Sequence, residues 1–147
     1  MKQISGTWFE VKVRYEQTQE NGLEKMVTET YVYKAEDFGE AYDKATKDTS
    51  TSISGEFGIT GMKIAQYGEV FIQDERTEEK FYRVKVNLII LDEKTQKEKK
   101  TACYYLVNAD SVEKARKYTD TALSDTTMDY VIEAVQEAKI IDVIFDD

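Results

Sequence analysis

The sequence predicts an α+β protein of two tandem β-β-α-β pseudo-repeats, mainly antiparallel, with the helices packed on one sheet face. Three observations carry this. The stretch TWFEVKVRY at residues 7–15 recurs as KFYRVKVNL at residues 80–88, each an aromatic pair, a spacer and Val-Lys-Val. A shift of 73 also sets Phe57 on Tyr130, Ile59 on Ile132, Met62 on Val135 and Glu69-Val70 on Asp142-Val143. Between these blocks each half has an apolar stripe at helical spacing, flanked by stretches that alternate as strands do.

Each element has its own signal. Residues 8–15 alternate, so Phe9, Val11, Val13 and Tyr15 take one face, and Trp8, Glu10, Lys12 and Arg14 the other. Asn21-Gly22 marks a tight turn, because both residues tolerate the positive φ that such turns need. In the second half the polar run Asp92-Glu93-Lys94-Thr95-Gln96 takes that place. The returning strands, residues 28–34 and 101–108, are rich in Thr, Tyr and Val, which suit a pleated surface. Here the shift becomes 74, which sets Ala35 on Ala109, Phe38 on Val112 and Ala41 on Ala115.

A helix follows in each half. Asp37-Phe38-Gly39-Glu40 reads as a capping box, with Asp37 accepting from an exposed backbone N–H and Glu40 reaching back. Phe38, Ala41, Tyr42 and Ala45 form its apolar stripe. Ser111 caps the second helix, and Val112, Ala115, Thr119 and Leu123 form a weaker stripe. A final strand closes each unit, over residues 62–72 and 135–145, and Gly58 and Gly61 mark a bulge at the start of the first. The expected units are residues 1–75 and 76–147, joined by the charged stretch 73–79. They are expected to pack as one compact domain, because about 70 residues alone make a marginal core.

Composition excludes several classes of chemistry. The chain has 147 residues, 41% of them hydrophobic, which is enough for a core. It has no histidine, so a Ser-His-Asp or Cys-His nucleophile and a Cys/His zinc site are ruled out. Cys103 is the only cysteine, which rules out an internal disulfide and suits a cytoplasmic protein. In a strand, and without histidine, it reads as a packed residue rather than a nucleophile. There is no apolar run long enough to span a membrane, and the start MKQISGTW does not resemble a signal peptide. The glycines of ISGEFGITG have the wrong spacing for a phosphate loop, and no calcium-loop pattern occurs. The acids Glu36, Asp37, Asp43, Asp74 and Glu75 follow no motif and read as surface charge. No cofactor is expected. The net charge of −9 would repel DNA at long range but leaves room for a local basic patch.

The candidate binding residues lie on the polar side of the leading strands: Trp8, Lys12 and Arg14 in the first and Phe81, Arg83 and Lys85 in the second, with Lys85 the counterpart of Lys12. If the helices cover the other side, this face is open. Aromatics between cations could then stack bases and follow phosphates, at about 1–3 kcal/mol per stacked base. In the competing reading Trp8 and Phe81 pack between the units and the cations are ordinary solvated residues. Two weaker features are the hairpin cluster Lys94, Lys97, Lys99 and Lys100, which reads mainly as a solvated turn, and the acidic end DVIFDD, which reads as the end of a last strand.

The blocks WFEVKVRYEQTQENGLEKMVTE, SGEFGITGMKIAQYGEVFI, KVNLIILDEKTQKEKKTA and MDYVIEAVQEAKIIDV together resemble the domain-of-unknown-function family 4494, over residues 7–143. The resemblance implies an origin in Bacteroidetes bacteria and their phages or mobile elements, and it brings no catalytic residues with it. The expectation is therefore a non-enzymatic accessory binding protein of a phage or mobile element, with single-stranded nucleic acid as its partner. The alternatives are a protein-interaction or homo-oligomer-forming module, and an acidic inhibitor that mimics nucleic acid.

Overall fold

A computed structural model describes residues 1–74 and 80–145. The elements are β1 (Lys2–Ser5), β2 (Trp8–Thr18), β3 (Glu24–Lys34), α1 (Phe38–Ser52), β4 (Phe57–Ala65) and β5 (Glu69–Ile72), then β6 (Lys80–Asp92), β7 (Lys97–Ala109), α2 (Val112–Ala122), β8 (Asp129–Ala138) and β9 (Asp142–Ile144). The fold is α+β, with a five-stranded sheet in the order β1-β5-β7-β6-β8 and a four-stranded sheet in the order β4-β2-β3-β9. The pairings of β5 with β7 and of β9 with β3 are parallel, and the others are antiparallel.

The chain forms two compact units, one of Met1–Ser5 with Tyr67–Lys139 and one of Gly6–Gln66 with Ile140–Asp147. These limits differ from the expected division at 75/76, and the reason lies in the closing strands. The strand expected over 62–72 is two strands, β4 and β5. β4 pairs with β2 in the four-stranded sheet, whereas β5 joins the five-stranded sheet beside β7. Likewise the strand expected over 135–145 is β8, on β6, followed by β9, on β3. The chain separates at Tyr67-Gly68, where the Gly68 N–H donates to the Tyr104 carbonyl at 2.8 Å and starts the new pairing. Val70, Phe71 and Ile72 are then all buried, the continuous apolar run of a strand covered on both faces. Of the stretch expected to link the units, residues 75–79 lie outside the described residues, as do Asp146 and Asp147 at the acidic end.

In the four-stranded unit, the alternation of β2 sends Phe9, Val11 and Val13 toward α1, where Tyr33, Ala41 and Ala45 meet them. The cap forms as the sequence predicts: Asp37 Oδ1 accepts from the Glu40 N–H at 2.8 Å. Glu40 reaches back one residue further than a capping box requires, and accepts from the Glu36 N–H at 3.1 Å. The buried stripe is Ala41, Ala45 and Thr49, not the expected set, because Phe38 and Tyr42 are about half exposed. Phe38 still packs edge-on against Phe9, with ring centroids 5.0 Å apart. Small residues on the inner stripe let the helix lie close to the sheet. In the five-stranded unit, Ser111 caps α2, and its Oγ accepts from the Lys114 N–H at 3.2 Å. Ala115 and Thr119 are the buried residues of α2, over Tyr82, Val84, Val86, Tyr105 and Val107. The buried Thr119 hydroxyl donates to the Ala115 carbonyl at 2.8 Å, so it carries no unmet polar group into the core. Cys103 is half-buried against this same cluster.

Tyrosine hydroxyls tie helix to sheet in the four-stranded unit. Tyr33 donates to Asp48 on α1 at 2.8 Å, while Tyr15 and Tyr31 both donate to Glu29 at 2.8 and 3.1 Å. Burial first, then the neighbouring carboxylates, raise all three phenol pKa values. A phenol with a raised folded pKa contributes stability that is whole below the unfolded value near ~10 and declines as pH rises beyond it. Urea unfolding midpoints are therefore expected to hold steady up to about pH 9.5 and to fall above it. Tyr33→Phe should reduce that alkaline loss, and an unchanged alkaline slope in this variant would contradict the assignment.

Candidate functional site

The side of each sheet facing away from its helix carries the sequence's candidate residues. In the five-stranded unit, β6 sends Phe81, Arg83, Lys85 and Asn87 to that side. Antiparallel register sets Leu106 of β7 opposite Arg83 and Tyr104 opposite Lys85. On the other flank, β8 sets Gln136 opposite Arg83 and Ala134 opposite Lys85. The register then slips: Val86 faces Ile132, which leaves Glu133 as an extra residue without a place in the ladder.

An open hollow of about 420 Å³ results, lined by Arg83, Lys85, Tyr104, Glu133, Ala134 and Gln136. The Arg83 guanidinium carbon lies 4.3 Å from the Tyr104 ring centroid, a stacked cation–π pair. Glu133 Oε2 meets Lys85 Nζ at 3.2 Å and accepts from Asn87 Nδ2 at 2.6 Å. The Asn87 hydrogen bond, then the Lys85 ammonium, holds the Glu133 carboxyl below its usual range, and Lys100 adds to this through space. Reciprocally, the bond to Glu133 raises Lys85. Around Glu133, the cations Arg83, Lys85 and Lys100 outnumber the one carboxylate.

The four-stranded unit has the same construction at positions 73 lower. β4 sets Lys63 opposite Glu10 and Gly61 opposite Lys12; the register then slips so that Val13 faces Ile59 and Thr60 is extra. The hollow is smaller, about 240 Å³, and is lined by Glu10, Lys12, Thr60, Gly61, Met62 and Lys63. Its chemistry differs. Glu10 stands where the other unit has Arg83 and pairs with Lys63 at 3.4 Å. Thr30 rather than a tyrosine faces Lys12 across β3.

The sequence matches a family described as Domain of unknown function (DUF4494) over residues 7–146. The chain belongs to this family. No curated protein and no solved structure matches it. In this DUF4494 chain, then, the site has to be read from its own residues.

The structure divides the six predicted site residues. Trp8 is 0% exposed and Phe81 6%, so neither can stack a base. Both face away from the helices, as alternation requires, yet each is buried within its own sheet, Trp8 beside Ala65 of β4 and Phe81 beside Asn108 of β7. Burial of a large aromatic side chain is worth roughly 1.5–3 kcal/mol, which outweighs leaving it on an open face. Arg83 and Lys85 come together around Tyr104, Lys12 lines the smaller hollow, and Arg14 is exposed beyond it. Tyr104, Asn87, Glu133 and Gln136 are the additional residues of the larger hollow and its rim. Hairpin register could have found Tyr104, because a turn centred on residues 92–97 places it opposite Lys85.

The other candidates stay dispersed. Lys94, Lys97, Lys99 and Lys100 are exposed on the β6–β7 hairpin. Asp37 is a helix cap, Glu36, Asp43 and Asp74 are exposed, and Glu75 lies outside the described residues. Among the described residues no group of three or more acids or Cys103 could hold a metal ion. Among the described residues no helix is long and apolar enough to cross a membrane.

Proposed function

We propose that this is a non-enzymatic binding protein that holds single-stranded nucleic acid on the polar side of its five-stranded sheet. The observation that carries the reading is the Arg83–Tyr104 stack beside Lys85 in an open hollow. A guanidinium plane backed by an aromatic ring offers a surface on which a base can stack, with cations in reach of the adjoining phosphates. Lys100 extends the positive charge along the same side. The lack of histidine supports a binding role over acid–base chemistry. The family resemblance supports an accessory role in a Bacteroidetes phage or mobile element, and the single cysteine supports the cytoplasm as its setting.

Fluorescence anisotropy with short labelled single strands tests the reading. Affinity is expected to fall steeply between roughly 50 and 200 mM salt, as phosphate neutralisation requires. Tyr104→Ala is expected to remove about 1–3 kcal/mol of stacking, and Arg83→Ala with Lys85→Ala to flatten the salt dependence. No anisotropy change at low salt would overturn it.

A second reading has its own observation. The β2–β3 and β6–β7 hairpins extend past their third strands, and their outer parts expose Leu23, Met26, Ile90 and Leu91. Exposed apolar side chains on such arms suit a protein partner or a second copy. Concentration-dependent association in sedimentation, lost on Ile90→Ser with Leu91→Ser, is the result expected if those arms carry the function.

A further inference from the structure

We propose that Lys85 and Asn87 form a seat for one phosphate oxygen, and that the Glu133 carboxylate fills this seat in the free protein. The inference rests on the strand-binding reading and names the contact at its centre. Both donors converge on a single acceptor: Lys85 Nζ and Asn87 Nδ2 lie 3.2 and 2.6 Å from the same Glu133 Oε2. A cation and an amide aimed at one oxygen are the equipment for an oxyanion, and a carboxylate oxygen stands in for a phosphate oxygen there. Arg83 projects from the same side of β6 two residues away, about 6.6 Å along the strand, so the stacking surface and the seat are neighbours.

Glu133 is not needed to build the sheet. It is the extra residue at the register slip, outside the ladder. The same slip in the four-stranded unit is made with Thr60, which carries no charge. A carboxylate at this point therefore adds chemistry rather than pairing. Its side chain is about half exposed, so it can swing into solvent without opening the fold. An incoming phosphate takes the two donors, and Glu133 leaves as a hydrated anion. Glu133 thus lowers affinity for any anion at the seat and selects for ligands that bring a second contact to Arg83 and Tyr104.

Glu133→Gln tests this in the full chain, with labelled single strands and, separately, inorganic pyrophosphate as probes. The variant is expected to bind strands about two- to five-fold more tightly than the unaltered protein, the fold-change that corresponds to one exposed ion pair. Its salt dependence is expected to steepen by about 0.7, one more phosphate contact on a single strand. Adding Lys85→Ala to Glu133→Gln should erase both gains. Equal or weaker strand binding by Glu133→Gln, while the unaltered protein binds, overturns the seat and leaves the strand reading standing. If no strand binds either protein but pyrophosphate shifts the Asn87 side-chain amide resonance in Glu133→Gln, the seat holds and the strand reading falls. No response to either probe in either protein overturns both.

Discussion

Trp8→Ala is expected to destabilise the protein by about 3–5 kcal/mol, the cost of emptying a large aromatic site in a packed core. Trp8 is fully buried, and its neighbours across β3 and β4, Lys34 and Ala65, cannot collapse into the space without distorting two ladders. Urea unfolding followed by circular dichroism measures the loss; a cost under about 1 kcal/mol would contradict the burial, since that is the range of surface substitutions. Trp8→Phe should cost much less, because it keeps most of the ring volume and removes the Nε1 donor, which has no hydrogen-bond partner among the described residues. In the unaltered protein, iodide should leave the fluorescence of this sole tryptophan nearly unquenched. Strong quenching would return Trp8 to the list of residues able to stack a ligand.

A stop after Lys139 is expected to weaken the unit built mainly from residues 6–66, although the deletion lies far along the chain. It removes β9 from the edge of β3, together with the buried side chains of Ile140 and Val143. At roughly 1.5–3 kcal/mol for each buried aliphatic side chain, the loss is about 3–6 kcal/mol, before the lost ladder bonds are counted. Trp8 belongs to that unit and reports on it directly, through a red-shifted emission and an earlier urea midpoint. An unchanged Trp8 transition in the shortened chain would mean that β9 contributes nothing to the four-stranded sheet. The substitution Val143→Asp, which keeps the chain length, should reproduce most of the effect.

Local features were legible in the sequence where one residue type had one physical use. Phe9, Val11 and Val13 had to share a face, Asn21-Gly22 had to turn, and Asp37 and Ser111 had to cap helices. What was hidden depended on partners far away in the chain. Nothing local distinguishes Glu69-Val70-Phe71-Ile72 as a continuation of the preceding strand from a strand that leaves for another sheet; only the parallel pairing with β7 decides it. Trp8 and Phe81 are buried as well, on a side that alternation alone leaves open. Lys12, Arg83 and Lys85 line open hollows on that side, because long polar side chains near the middle of a strand keep their charged ends in solvent. Tyr104 reads in the sequence only as a strand former, and the slip at Glu133 lacks the glycines that flag the equivalent slip at Thr60, where Gly58 and Gly61 mark the bulge.

The exchanged strands also set a schedule for synthesis. Val32 cannot meet Val143 until the stretch between them, both helices and five strands included, has been translated. At about 5–20 residues per second, residues 6–66 wait on the order of ten seconds with the outer edge of β3 unpaired. An open strand edge is where nascent chains pair with the wrong neighbour. Slower growth at low temperature and chaperone cover for that interval should therefore raise the soluble yield more than any change to the finished surface would.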